Sequence, residues 1–236
     1  MPALRTLLAA MLCAAGTANA AEPARHVAIY VQPYYESGRT AEAPPKVNIG
    51  ATFNPLLASL RKEDILAARD RIAAEPKLVT PMTMMVLAIR LYDIGQRDDA
   101  AFWFYAAKDR YITLADVIDI GAAGLGGVED AVKSFVTLAG PFINGYAFCD
   151  IANQQAIRTR ELDWVEANPY GAIFLDRVPA RPGDRAANLG ASIPRSGPVL
   201  RKNATTSRTR RTSPTSPHLG RRTRWTRNSA GGDGAL

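Results

Sequence analysis

The sequence is poor in the residues that most often build metal and nucleophilic sites. Its 236 residues include only two cysteines, Cys13 and Cys149, and two histidines, His26 and His218. A zinc site needs three or four Cys, His or acidic ligands, and an iron–sulfur cluster needs several thiolates. The composition therefore argues against zinc, bis-histidine haem and iron–sulfur sites. We predict no metal-binding and no cofactor-binding residues.

Nucleophilic catalysis also lacks its usual parts. A Ser–His or Cys–His mechanism in the folded region would have to use His26, and nothing in the sequence places Cys149 or a serine beside it. There is no G-x-S-x-G motif. We predict no catalytic residue from these types, and a non-enzymatic role is favoured.

Carboxylates are plentiful, and a pair of them is the one catalytic option that stays open. Two converging acids can hydrolyse glycosidic bonds, but the sequence does not show which two converge. Most of the acids suit helix starts or solvated faces. Arg158 and Glu161, at i and i+3 in a group with Arg160 and Asp163, are predicted to form surface ion pairs. The candidates are Glu63, Asp64, Asp70, Asp93, Asp98, Asp99, Asp109, Asp150, Glu161 and Asp163.

Long apolar runs are absent. The first short apolar stretch, Leu7 to Ala15, follows the cation Arg5 and precedes the small-x-small sequence Ala18-Asn19-Ala20. It is shorter than the roughly 20 residues of a spanning helix, which argues against a membrane anchor. The pattern is typical of a secretory signal peptide, residues 1–20, cut after Ala20. We expect a periplasmic or secreted protein with no transmembrane segment.

Export permits disulfides, but only Cys149 remains after removal of the signal peptide. An odd cysteine is either an intermolecular link or reactive thiol, or a small buried apolar side chain. Free cysteine is one of the most often buried residue types. We expect Cys149 to be buried.

The C-terminal residues 183–236 contain no Phe, Tyr or Met and show no helical or strand period. Such a segment buries too little apolar surface to offset its ordering entropy, and we predict that it is disordered. It has eleven Lys or Arg against two Asp, whereas residues 21–182 have 17 basic and 20 acidic residues. The high isoelectric point therefore belongs to the tail, and no nucleic-acid partner is expected for the mildly acidic domain.

Two explanations of the tail stay open. It is either a basic arm that binds an anionic partner, or an out-of-frame translation of GC-rich DNA after a shift near residues 180–195. Translating the other two frames of the gene separates them, since a shifted frame would continue the amphipathic pattern.

Residues 21–182 are long enough for one domain with a core, and the patterns predict a mainly α fold. Alternation of Val27, Ile29 and Val31 predicts a short N-terminal strand or extended arm. Capping signals and apolar periods then predict successive helices. A short helix is predicted to start at 54–55. The other helices are predicted at 62–74, 81–95, 98–110, 128–140 and about 147–167.

Four consecutive aromatics, residues 102–105, cover about 300° of a helix circumference because successive residues lie about 100° apart. A helix that is apolar on nearly all sides is a buried one. We therefore predict that this helix is the centre of the domain, with helical hairpins around it. An aromatic ligand cage is disfavoured because consecutive side chains point apart.

The hairpin predicted over residues 81–110 resembles a tetratricopeptide or Sel1-like unit. The resemblance rests on the spacing of Leu87, Ala88, Leu91, Gly95, Ala100, Phe104 and Ala107. One unit is covered, and Ile112 stands near the place of the usual closing proline. The family's general role implies binding of a protein partner, so we expect a protein-interaction module of the cell envelope that uses the exposed hairpin surface as a groove.

One glycine-rich segment resembles a phosphate loop in composition. Gly121, Gly124, Gly126 and Gly127 follow an apolar run and precede a helix, but they match neither G-x-G-x-x-G nor G-K-[ST]. Acidic residues 129–130 in the first helical turn would repel a phosphate. An interhelical loop is predicted instead.

Overall fold

The structure is a computed structural model in which residues 27–196 are described, the last three by their backbone only. It is mainly helical, as predicted. The helices are α1 Asn54–Leu57, α2 Lys62–Ala74, α3 Pro81–Asp93, α4 Arg97–Val117, α5 Gly126–Ala147, α6 Ile151–Ala167 and α7 Arg185–Ser196. Two 3-10 helices, Pro76–Leu78 and Gly171–Phe174, connect α2 to α3 and follow α6. The predicted signal peptide, His26 and residues 197–236 lie outside the described residues.

The N-terminal alternation forms a strand, but one of two residues. Val27, Ile29 and Val31 are buried, and β1 (Tyr30–Val31) pairs antiparallel with β2 (Tyr35–Glu36), which pairs with β3 (Lys46–Val47). A cis Gln32–Pro33 peptide lies in the turn after β1. The extended arm is therefore the first strand of a small sheet.

Local capping chemistry explains why α3 begins where it does. The Thr80 side chain accepts a hydrogen bond from the backbone N–H of Thr83, and Pro81 takes the first helical position, where no N–H is needed. The helix ends before Gly95, whose φ of 80° is a left-handed conformation that suits glycine. The turn returns the chain as α4, and α3 and α4 form the predicted hairpin.

Helix α4 is the centre of the fold, as the aromatic run predicts. It contacts α3, α5, α6 and α7. All four consecutive aromatics are buried, and Phe102 and Trp103 meet Trp164 of α6 edge to face. Ala100, Ala101, Ala106 and Ala107 are fully buried, so neighbouring helices approach α4 closely at these positions.

Two helix ends differ from the prediction. Helix α4 continues to Val117 rather than ending near residue 110, because Leu114 and Val117 are buried in a second core. Helix α5 continues through Pro141 to Ala147 rather than ending at Gly140. Proline cannot bond the carbonyl four residues back, here that of Thr137. Thr137 and Pro141 are both exposed, so the interrupted bond lies on the solvent side of the helix.

The expectation of disorder from residue 183 is wrong for residues 185–196, which form α7. The Arg185 guanidinium donates to the carbonyls of Ile173 and Val178, and the Ser192 hydroxyl bonds the Asp116 carboxylate at 2.6 Å. Leu189 packs on the second core of Leu114, Val117, Ile118, Ile120 and Ile173. These long-range contacts stabilise a segment whose own composition would not fold it. The ordered domain therefore extends beyond residue 182.

The glycine-rich segment forms the predicted interhelical loop at Gly121 and Gly124, whereas Gly126 and Gly127 are the first residues of α5. Across residues 27–196, every helix is too short or too polar to cross a bilayer.

Candidate functional site

The surface that the sequence favoured for binding is not available. Almost every residue of α3 is buried, and so are most residues of α4 up to Leu114. The hairpin is the core of the domain rather than an exposed groove, because neighbouring helices cover it. A candidate site must therefore be sought elsewhere on the chain.

The acidic candidates converge at one place, between α4 and α6. Arg158 donates to the carboxylates of both Asp109 and Glu161. Asp109 is 1% exposed and Glu161 is not exposed at all. The predicted i, i+3 pairing of Arg158 with Glu161 is confirmed, but the prediction of a surface pair is wrong. Burial of this face of α6 against the central helix is a tertiary effect.

Two carboxylates share one cation in this cluster, and one oxygen of each has no hydrogen-bond partner among the described residues. Burial, together with the charge of Asp109, raises the pKa of the Glu161 carboxyl to about 8, against the lowering effect of Arg158. At neutral pH Glu161 is therefore largely protonated. The cluster then holds one negative and one positive charge, a state that a dry interior tolerates.

A protonated acid beside an ionised one is the combination that glycoside hydrolysis uses. Here, however, both carboxyl groups are closed off by the packed helices and bridged by Arg158. A substrate oxygen has no exposed acid atom to meet in this conformation. The geometry supports a structural ion cluster that joins α4 to α6.

A second buried pair, Arg90 with Asp93 on α3, fixes the chain before α3. Asp93 accepts from the backbone N–H of Val27 at 2.9 Å, and Arg90 donates to the carbonyl of Ser59 at 2.7 Å. Arg90 Nη1 and Asp93 Oδ2 are 2.6 Å apart. Their bonds to distant backbone groups indicate a structural role.

Arg110 is buried with carbonyls in place of a carboxylate. It donates to the carbonyls of Pro76, Val79 and Asn168, and its guanidinium lies 5.0 Å from the Trp164 ring centre. Burial lowers its pKa to about 10, which leaves it charged at neutral pH. These bonds tie the 3-10 segment before α3 and the end of α6 to α4.

The remaining candidate is an exposed apolar surface along the second half of α5, which we call the α5 stripe. Its members recur at helical spacing on the solvent side: Leu138, Pro141, Phe142, Gly145, Phe148 and Cys149. Phe142 is 44% exposed and Phe148 is 56% exposed. Ile151, the first residue of α6, follows and is also exposed. Phe148 still bonds the Asn144 carbonyl, so the helical geometry reaches this residue.

The stripe is unusual because the opposite side of the same helix is apolar too. Ala139, Gly140, Ile143 and Ala147 are buried against the domain. Residues 134–149 contain no charged side chain at all. A helix without a polar face is normally covered on both sides, whereas only one side of this segment is covered within the described chain.

Cys149 belongs to this surface, so the expectation that it is buried is wrong. Its thiol is exposed and bonds the Gly145 carbonyl at 3.1 Å. Cys149 is exposed because it follows the end of α5, on the side of the helix that faces solvent. Polar groups border the stripe: Asp98 accepts from the Tyr146 hydroxyl and from the Asn153 amide.

Sequence periodicity missed Phe142 and Phe148 because it ended the helix at Pro141. Leu138 lies within the predicted helix 128–140, but the structure leaves it exposed. The signal that would have found the stripe is the uncharged interval from Ser134 to Cys149.

A protein of Haemophilus influenzae, described as uncharacterized, is 33% identical to this chain over 184 residues. The match covers 77% of this chain and 70% of the relative. The chain belongs to the same family as this protein. The match spans more than three quarters of the chain, so the family resemblance extends well beyond the hairpin at residues 81–110.

No protein-family model matches the chain, and no solved structure matches it. The resemblance of residues 81–110 to a tetratricopeptide or Sel1-like unit stays a prediction.

Proposed function

We propose that this protein is a non-enzymatic interaction module of the cell envelope, periplasmic or secreted, and that it binds a protein partner through the α5 stripe. The observation that carries the proposal is the exposed apolar side of a helix segment that has no charged residue. Large exposed apolar patches are typical of binding sites.

The energetics support a binding role. The exposed parts of Phe142 and Phe148 amount to about 200 Å² of aromatic surface, since a phenyl side chain buries roughly 200 Å² in full. With Leu138 and Ile151, which are 39% and 53% exposed, the apolar area rises to roughly 350 Å², the size of a typical functional patch. Aromatic residues in a central position with a polar border match the arrangement of binding hot spots.

A protein surface suits the stripe better than an anionic bilayer. Membrane-surface helices carry Lys or Arg along their polar face. The acids Asp98 and Asp150 lie beside the C-terminal end of the stripe. The cation Lys133 on α5 forms an ion pair with Glu129. An apolar partner surface with a polar rim fits these neighbours.

A matched pair of substitutions tests the binding surface. Phe142 and Phe174 are equally exposed, at 44%, but Phe174 lies beside the second core at the far end of α4. The full chain serves as bait in an envelope extract of its own organism. We expect F142D to lose a specific protein that the wild type and F174D both retain. Equal recovery by all three baits would refute the stripe as the binding surface.

Export is tested separately. The predicted cleavage after Ala20 gives a mature N-terminus at Ala21. Terminal sequencing of the protein from an envelope fraction is expected to begin at that residue. Recovery of the intact chain from the cytoplasm alone would contradict the proposed location.

A further inference from the structure

The α5 stripe is pseudo-symmetric from Pro141 to Cys149, with Leu138 outside the symmetric part. Gly145 is at its centre, Phe142 and Phe148 stand three residues to either side, and Pro141 and Cys149 stand four residues to either side. We propose that the partner is a second copy of this chain, bound antiparallel along α5 with the two-fold axis at Gly145. This inference rests on the proposed function, since it assigns an occupant to the same surface.

A two-fold interface must be complementary to itself, because each residue meets its symmetry counterpart across the axis. With the axis at Gly145, Phe142 of each copy faces Phe148 of the other. Pro141 then faces Cys149. The absence of charge over residues 134–149 means that no like charges meet across the axis.

Gly145 has no role within the chain that requires glycine. It lies inside a helix, where glycine is unfavourable, and a Cβ added there would meet no atom within 4 Å. Its φ is not in the left-handed region. At a helix crossing, however, a missing side chain allows the two backbones to approach closely. A second α5 helix at this position uses the space that the fold leaves open.

The size of the stripe agrees with a small dimer. Roughly 350 Å² from four apolar side chains, together with Pro141, Gly145, Cys149 and the polar border, approaches the roughly 500 Å² per copy of the smallest specific interfaces. We therefore expect a reversible dimer rather than a permanent one.

The proposed axis makes a geometric prediction about thiols. Phe148 keeps the helical hydrogen bond at the end of α5, and continuing the helical rise by one more residue puts the two Cys149 residues about 12 Å apart along the axis, too far for a disulfide. Two cysteines at position 145 would face each other on the axis. A cysteine at Thr137, exposed on the same helix, would be about 24 Å from its copy.

Cross-linking tests this register on the full chain. In a C13S/C149S background, which has no cysteine, we expect G145C to form a covalent dimer on mild oxidation and T137C to form none. The wild type is expected to form none through Cys149. Efficient Cys149 cross-linking, or equal cross-linking at 137 and 145, would overturn the proposed register.

Sedimentation equilibrium tests the dimer without a cross-link. We expect F142D and G145L to weaken self-association at least tenfold, while F174D matches the wild type. G145L is the more discriminating variant. Leucine adds apolar surface and favours the helix, so a non-specific association would become stronger, whereas the proposed close approach at residue 145 would be blocked. Circular dichroism checks that each variant is folded.

The two proposals fail differently. A wild-type chain that stays monomeric at every concentration, with no cross-linking at residue 145, overturns the second-copy inference. Loss of a captured protein by F142D in the envelope extract would then still support the stripe as a binding surface. Unchanged self-association in G145L likewise overturns the inference.

Discussion

Among residues 27–193, three buried arginines carry charge into the interior, and each is compensated in its own way. Arg90 pairs with Asp93, Arg158 bridges two acids, and Arg110 uses three carbonyls and the face of Trp164. A buried charge without partners is very costly, so these bonds are obligatory wherever the side chain is retained. They explain how a helical domain of this size holds its irregular connections in place.

Replacing Arg110 tests how much the carbonyl bonds contribute. We expect R110M to lower the free energy of unfolding by about 2–4 kcal/mol, because one buried and two part-buried carbonyl acceptors lose their donor. Urea denaturation measures the change. R71M, at an exposed arginine of α2, is the control and should differ from the wild type by less than about 0.5 kcal/mol. A loss in R110M no larger than this would show that the carbonyl bonds contribute little.

Glu161 predicts a pH dependence of stability. Its pKa in the folded protein is about 8, well above that of an unfolded glutamate, so the native state binds the extra proton between the two values. The stabilising contribution is therefore complete below the unfolded pKa and is lost as pH rises toward 8. We expect E161Q, which stays neutral, to be more stable than the wild type at pH 9 by at least about 1 kcal/mol.

The measurement is thermal or urea unfolding from pH 5 to pH 9. E166Q, at an exposed position of the same helix, is the matched control and should follow the wild-type curve. Parallel wild-type and E161Q curves across this range would mean that Glu161 is already ionised in the folded protein at neutral pH.

At the scale of elements, α7 shows that a segment of unpromising composition folds when the domain supplies its contacts. Arg185 donates to two carbonyls within the connection between α6 and α7, those of Ile173 and Val178. Leu189 packs on the second core. We expect R185A to lower the free energy of unfolding by about 1–3 kcal/mol, since two carbonyls lose their donor. Amide exchange in α7 should accelerate more than exchange in α3.

Arg177 provides the comparison for this substitution, because it is exposed in the same connection. R177A is expected to leave exchange in α7 unchanged. If R185A and R177A behave alike, Arg185 does not hold α7 on the domain.

Element boundaries were predictable wherever local chemistry sets them. Helix α2 has the predicted limits, and α3 begins at the predicted Thr80-Pro81 cap. The strands β2 and β3 were missed because two residues carry no detectable period. The end of α5 was missed because exposed Thr137 makes an internal proline tolerable there.

The two candidate sites differ in the same way. The pairing of Arg158 with Glu161 follows from helical spacing, but its burial against Asp109 depends on helix packing that no local pattern encodes. The stripe could have been recognised from the uncharged interval 134–149, although its exposure depends on which side the domain covers.

At the scale of the whole molecule, α4 belongs to two cores. Its aromatic first half lies in the larger core with α3 and α5, whereas Leu114 and Val117 lie in the smaller core with Ile173. Tyr111 packs against both. A single continuous helix through both cores couples them. If the half of α4 in one core unfolds, the half in the other core is left with a frayed end.

We therefore expect one cooperative unfolding transition for both cores. F135A, in the larger core, and I173A, in the smaller one, each remove a fully buried side chain and should cost about 2–5 kcal/mol. Each should shift the tryptophan and circular dichroism transitions together, measured in a W225F background so that fluorescence reports Trp103 and Trp164 near the larger core. F174A, beside Ile173 but exposed, should shift neither. A fluorescence transition that I173A leaves in place while the helical signal falls earlier would show that the cores unfold separately.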